Sequence, residues 1–165
     1  MAAAEQLAAL ARIAGLFEPR GIEYWLFGGW AVDFYLRAVT RAHGDLDVAV
    51  WLADVPAIAV LFERDGWKHA PEAEEDGYTV YRRDGVRLDL AFLARGADGA
   101  IVTPLRQGSA PWPAGTFGDD VSDLLGVRAH LIALAALQAD KSEPRDSPLV
   151  SAKDRADLAA LARLK

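Results

Sequence analysis

The chain has 165 residues, 52% of them hydrophobic and 25% charged, with a formal net charge of −6. At roughly 100–200 residues per domain this is one compact domain, and the composition excludes wholesale disorder and fibrous repeats. The negative balance is the wrong sign for a broad nucleic-acid face and suits neutral or cationic partners. Cysteine is absent, which removes disulfides, thiolate zinc sites and a catalytic thiol and makes a reducing cytoplasm the expected compartment.

Residues Ala3–Glu18 are apolar, but Glu5 and Arg12 interrupt them and no basic start precedes them. They read as an amphipathic helix rather than a signal sequence, closed by Pro19-Arg20-Gly21. Tyr24–Phe27 is a short aromatic strand that runs into Gly28-Gly29, after which Trp30–Arg37 has helical spacing. Asp45–Trp51 alternates polar and apolar residues as a strand, and Val55–Asp65 is an apolar helix stopped by Gly66. Gly77–Arg83 and Val86–Leu93 predict an antiparallel hairpin turned by Asp84-Gly85 in the type I′ manner. Ile101–Leu105 adds an edge strand before an irregular Gly/Pro-rich loop, Gln107–Phe117, and Leu124–Val127 is a further short strand. Arg128–Ala139 and Ser151–Leu164 read as two helices, with Ser151 as an N-cap, joined by polar Asp140–Pro148. The longest uncharged helical run, 129–139, falls well short of the roughly 18 apolar residues that span a bilayer. The expected fold is α/β (α+β): a small mixed β-sheet flanked by helices, with residues 1–127 as core and 128–165 as a short helical tail packed on it.

Asp45 and Asp47 stand two apart, so on a strand both carboxylates project to one face. Unpaired charge in an otherwise apolar strand is costly, and a hard divalent cation such as Mg²⁺ relieves it. Asp89 is a second isolated acid in an apolar strand of the predicted hairpin. Three acids on adjacent strands suit two metal ions that clamp the attacking and leaving oxygens of a displacement. Gly28-Gly29, between strand and helix, exposes backbone N–H groups at a helix start and makes a cradle for phosphate.

Trp25-Leu-Phe-Gly-Gly-Trp-Ala-Val-Asp33, followed by Thr40-Arg-Ala-His-Gly-Asp-Leu-Asp-Val48, resembles the signature of the DNA polymerase beta-like nucleotidyltransferases, most closely the aminoglycoside and lincosamide branch. The similarity runs more loosely from Ile22 to Asp157 and takes in Gln107-Gly-Ser-Ala-Pro111 and Lys153-Asp-Arg-Ala-Asp-Leu158. The resemblance implies Mg²⁺-dependent transfer of a nucleoside monophosphate, AMP first among them, from a triphosphate to a hydroxyl of a small molecule. It assigns Asp45 and Asp47 to the metals, and Asp89 to a general base or shared metal ligand. Gly28 and Gly29 would hold the triphosphate, with Arg41 and His43 beside them. The second reading is nucleotide transfer to tRNA or to a protein side chain, as in toxin-like relatives, of which tRNA conflicts with the acidic balance; a silent nucleotide-binding relative conflicts with three intact acids.

For Arg41 and His43, triphosphate contact and loop anchoring are equal readings. Asp33 reads as a partner of Arg41 or a cap of the Thr40 loop, with metal ligation as the alternative, Lys141 as a solvated lysine with a phosphate contact as the alternative, and Asp154 and Asp157 as solvated or paired with arginines. His69 and His130 lack metal-ligand spacing. Trp112 reads equally as a stacking platform or a pin for its loop. The acidic run Glu72–Asp76 reads first as a solvated loop and second as the lining of a cleft that attracts a polycation.

Overall fold

The computed structural model describes residues 3–164. Helix α1 (Ala3–Phe17) leads through a 3-10 turn into strand β1 (Tyr24–Phe27), helix α2 (Gly28–Leu36), strand β2 (Leu46–Trp51) and helix α3 (Val55–Asp65). Strands β3 (Lys68–His69), β4 (Tyr78–Arg83), β5 (Val86–Arg95), β6 (Ile101–Pro104) and β7 (Ser109–Pro111) follow. The chain ends with hairpin β8 (Val121–Leu124) and β9 (Val127–His130), then helices α4 (Leu134–Ser142) and α5 (Pro148–Leu161).

The main sheet has the order β1-β2-β5-β4-β3, with β6 and β7 continuing from the end of β5. Strands β2 and β5 run parallel at its centre, and their other partners are antiparallel. Alternation gives each strand two faces. One carries Tyr24, Leu46, Val48, Val50, Leu88 and Tyr81 and is covered by α1 and α3. There Phe17 stacks on Phe62 at 5.6 Å, and Phe62 meets Tyr81 edge-on at 4.9 Å. The opposite face carries Asp47 and Asp89 beside an aromatic group: Trp25 with Phe117 at 5.1 Å, and Phe27 with Trp112 at 5.8 Å. Apolar burial on the first face therefore fixes strand register, and register fixes which acids meet on the second.

The Asp84-Gly85 turn has both residues at positive φ, 48° and 81°, as a type I′ hairpin requires. The same geometry recurs at Leu125-Gly126, with φ of 50° and 83°. Here the structure departs from the sequence reading. Residues 128–130 are strand rather than helix, and the expected strand at 124–127 is the tip of hairpin β8–β9. Leucine is a poor residue for the left-handed region, so the turn carries no local signal, and Leu125 stands 78% exposed at its tip. Strand β7 lies within the segment expected to be irregular. Helix α5 begins at Pro148 rather than Ser151, because proline at the first helical turn fits where its missing N–H is not needed. Ser151 is then inside the helix, its hydroxyl directed to the Arg145 carbonyl at 3.4 Å. Among the described residues no helix is long and apolar enough to cross a membrane.

Candidate active site

Asp47 and Asp89 are register partners on parallel β2 and β5, and Phe27 at the end of β1 is the partner of Asp47 on its other side. Neighbouring strands lie about 4.8 Å apart, so the two carboxylates emerge side by side from the same face. Asp45 sits one residue before β2, outside the strand that the sequence predicts it to join, and is close enough to repel the Asp47 carboxylate.

Among the described residues, no side chain donates a hydrogen bond to Asp45 or Asp47. Asp47 retains an opening to solvent, yet burial, then repulsion from Asp45 and Asp89, pushes its pKa up to about 8. Asp89 is held differently. Burial raises its pKa, and Arg87 opposes the rise by donating from Nε to Oδ1 at 2.6 Å and from Nη2 to Oδ2 at 3.1 Å. Among the described residues, no three acidic or histidine side chains are grouped closely enough to hold a metal ion, so Asp45, Asp47 and Asp89 do not form a ready-made triad.

Gly28 opens α2 with φ of 69°, and a Cβ there would overlap Oδ2 of Asp47. The glycine is needed twice, for its backbone and for the carboxylate packed against it. Gly28→Ala is expected to abolish turnover and lower the melting temperature, since the left-handed conformation alone costs an alanine roughly 1–2 kcal/mol. Calorimetry and a pyrophosphate-release assay check both effects. Gly29 is constrained by its surroundings instead. A Cβ would lie 2.5 Å from Arg41 Nη2 and 2.6 Å from His43 Nδ1, so both side chains lie directly on the backbone of the helix start.

Those two side chains have partners of their own. His43 is 7% exposed and its Nε2 lies 2.6 Å from Asp33 Oδ2, while Nδ1 faces Arg41 Nη1 at 3.1 Å. These contacts place the proton on Nε2, leaving Nδ1 to accept from Arg41. Asp33 also accepts from the Thr40 backbone N–H at 3.2 Å and hydroxyl at 2.5 Å, which is the expected loop cap. Arg41 does not pair with Asp33 by hydrogen bond; its fork closes on Asp157, Nε to Oδ1 at 3.2 Å and Nη2 to Oδ2 at 3.0 Å.

Lys141 departs from the solvated reading. It is 8% exposed, and its Nζ lies 2.9 Å from Asp154 and 3.1 Å from Asp157. Burial works against its charge, but these two carboxylates outweigh it and hold its pKa above the usual value. Asp154 and Asp157 are likewise buried, at 4% and 3%. Their spacing with Leu161 on α5 is i, i+3, i+7, one stripe of the helix, and that periodicity was the available sign that the acids face inward. Asp140 carried no such sign, whereas Arg87, two residues before Asp89 on one strand, shares its face by alternation. Asp140 adds to the repulsion on Asp47 and lines a cavity of about 410 Å³ with Thr103, Pro111, Trp112, Pro113 and Glu143.

Trp112 donates to Thr103 Oγ1 at 2.9 Å, which pins its loop, while its ring remains part of the cavity wall. His69 Nε2 donates to Thr79 Oγ1 at 2.7 Å, whose own proton goes to Glu75, and His130 packs edge-on against Tyr24 at 5.3 Å. The acidic run is ordered by its own contacts. Glu72 receives Arg87 Nη1 at 2.5 Å, Glu75 accepts from Thr79 Oγ1 and the Val80 N–H at 2.9 Å each, and Asp76 accepts from the Arg106 N–H at 2.7 Å. Most of its charge is thus engaged locally.

A mixed sheet that presents neighbouring acids beside a helix opened by two glycines fits a nucleotidyltransferase of the polymerase beta-like superfamily, the class the sequence resemblance implied. The chain belongs to the aminoglycoside-2''-adenylyltransferase family, whose model matches residues 9–139. A comparison with curated protein sequences gave no match. Among solved structures, the lincosamide antibiotic adenylyltransferase LnuA with lincomycin bound superposes with a TM-score of 0.74 at 21% identity, covering 94% of this chain and 96% of that one. ANT(2'')-Ia in complex with adenylyl-2''-tobramycin gives 0.71 at 21% identity, covering 96% and 88%. The solution structure of ANT(2'')-Ia gives 0.68 at 20%, covering 96% and 92%. At these identities the likeness is one of fold.

Proposed function

We propose that the protein transfers AMP from ATP to a hydroxyl of a small cationic antibiotic of the aminoglycoside or lincosamide class, in a Mg²⁺-dependent reaction in the cytoplasm. The observation that carries the proposal is the pair Asp45 and Asp47, neighbouring carboxylates with no side-chain donor among the described residues, one of them pushed up to about 8 beside a glycine-opened helix. Such a donor set suits a hard cation with oxygen ligands, and Asp45 and Asp47 would hold it, with Asp89 as a shared ligand or the base. Bound Mg²⁺ would supply charge neutralisation and alignment of the phosphates.

The backbone at Gly28 and Gly29 binds the triphosphate, with Arg41 and His43 laid against Gly29 as the floor and positive edge of that cradle. Asp89 accepts the proton of the acceptor hydroxyl as its oxygen forms a bond to the α-phosphorus and the bond to pyrophosphate breaks. A carboxylate raised by burial is a stronger base than a free one, and Arg87 keeps it ionised and oriented. The cavity beside Trp112 takes the acceptor, its ring offering an apolar face and Asp140 and Glu143 a negative rim.

Purified protein incubated with Mg²⁺, each of the four triphosphates and a panel of aminoglycosides and lincosamides tests the proposal through pyrophosphate release. Release with ATP and one of these antibiotics supports it, and release only with other acceptors sinks the antibiotic reading. Glu143→Gln is expected to raise KM for an aminoglycoside up to about fivefold at low salt, the scale of one exposed charge. The effect should fade as salt rises, with KM for ATP unchanged.

A further inference from the structure

The last helix lies outside the residues that bear metal or substrate, yet one of its side chains reaches the cradle. Asp157 is 3% exposed and receives both Nε and Nη2 of Arg41. The same guanidinium directs Nη1 to the Ala42 carbonyl at 3.3 Å and to His43 Nδ1 at 3.1 Å. Arg41 and His43 press so closely on Gly29 that no side chain fits there. A continuous set of contacts therefore runs from α5 through Arg41 and His43 to Gly29 at the start of α2, and onward from His43 to Asp33 and Thr40.

We infer that Asp157 is a positioning residue for the triphosphate: it fixes the Arg41 fork, and through it the loop 40–45 and the face of Gly29 that the phosphates meet. The inference rests on the proposed role of Gly28 and Gly29 as the cradle. A bidentate carboxylate–guanidinium pair fixes both the plane and the direction of the arginine, which a single contact would not. The loop has other supports, because Gln6 Nε2 donates to the His43 carbonyl at 3.1 Å and Trp30 packs on the His43 ring at 4.6 Å. Those contacts hold the backbone and the ring; the guanidinium has Asp157 as its only carboxylate partner by hydrogen bond among the described residues.

Asp154 supplies the control. It is equally buried and shares Lys141 with Asp157, but its second partner is Arg145, at 2.8 Å, and it acts on Arg41 only through its field, with no hydrogen bond to the guanidinium. Both Asp157→Asn and Asp154→Asn leave part of a buried charge cluster uncompensated and lower the melting temperature. Only the first releases Arg41. Titration calorimetry with a non-hydrolysable ATP analogue and Mg²⁺, paired with steady-state kinetics on the full chain, separates the two roles. Asp157→Asn is expected to raise the analogue Kd and KM for ATP by about tenfold, the lower end of the cost of losing a supporting contact. KM for the acceptor stays at the parent value, and Asp154→Asn keeps the parent Kd. Asp157→Glu, which preserves the charge facing Lys141 but displaces the oxygens from the fork, decides the matter if the asparagine variant does not fold. It should show the same selective loss of analogue binding. Parent-like analogue affinity in the folded Asp157 variants, or an equal loss in Asp154→Asn, overturns the inference. A parent protein that binds no triphosphate overturns the cradle assignment instead.

Discussion

Asp47→Asn is expected to abolish nucleotidyl transfer while making the metal-free protein more stable at neutral pH. The two effects share one cause. Asp47 lies among other acids and is pushed up to about 8 by burial, then by Asp45 and Asp89, whereas an unfolded aspartate titrates near about 3.9. A group whose folded pKa is raised contributes stability that is fully present below its unfolded pKa and is lost as pH climbs through the folded value. Between about pH 4 and pH 8, then, this carboxylate works progressively against the fold, and asparagine removes the effect. The parent should lose stability over that window, and the Asp47→Asn melting curve should flatten across it. Each kcal/mol relieved corresponds to roughly 2–4 °C in a chain of this size. Adding Mg²⁺ with triphosphate should stabilise the parent and do much less for the variant, which has lost a ligand charge. Melting curves between pH 4 and pH 9, with and without Mg²⁺, check the account; a variant less stable than the parent at pH 7 without metal contradicts it.

Asp89→Asn should separate binding from chemistry. The side chain is isosteric and stays within reach of Arg87, so triphosphate affinity is expected to hold while turnover falls by about 10²–10⁴-fold, the usual contribution of a general base. Arg87 gives a second handle on the same group. Its guanidinium opposes the rise that burial imposes on Asp89, so Arg87→Gln lets the pKa climb further and moves the acidic limb of kcat to higher pH. Arg87→Lys, which retains the charge without the fork, should fall between. Near-parent turnover in Asp89→Asn removes that residue from the proton transfer, and an unmoved acidic limb in Arg87→Gln removes Arg87 from its control.

What the linear sequence determined was the set of elements whose signals are local. Asp84-Gly85 announced its hairpin because both residues tolerate positive φ, and the apolar periodicity of 3–18 and 55–65 announced α1 and α3. The Asp45 and Asp47 pair and the glycines at 28 and 29 were legible for the same reason: a two-residue spacing on a strand, and a turn, are properties of adjacent residues. Hairpin β8–β9 was not legible, because Leu125 occupies a conformation that leucine rarely adopts and only pairing between Val121–Leu124 and Val127–His130 holds it there. Nor were the partners of charge. Lys141, Asp154 and Asp157 look like surface residues one at a time, and they become interior residues once α4 and α5 bring opposite charges within 3.1 Å, since a buried charge is tolerated when it is paired. The fork of Arg87 on Asp89 is a two-residue spacing on one strand, but the meeting of Asp47 with Asp89 across parallel strands and the reach of Asp157 to Arg41 join residues distant in sequence. Packing of the apolar faces set those distances, and no local propensity encodes them.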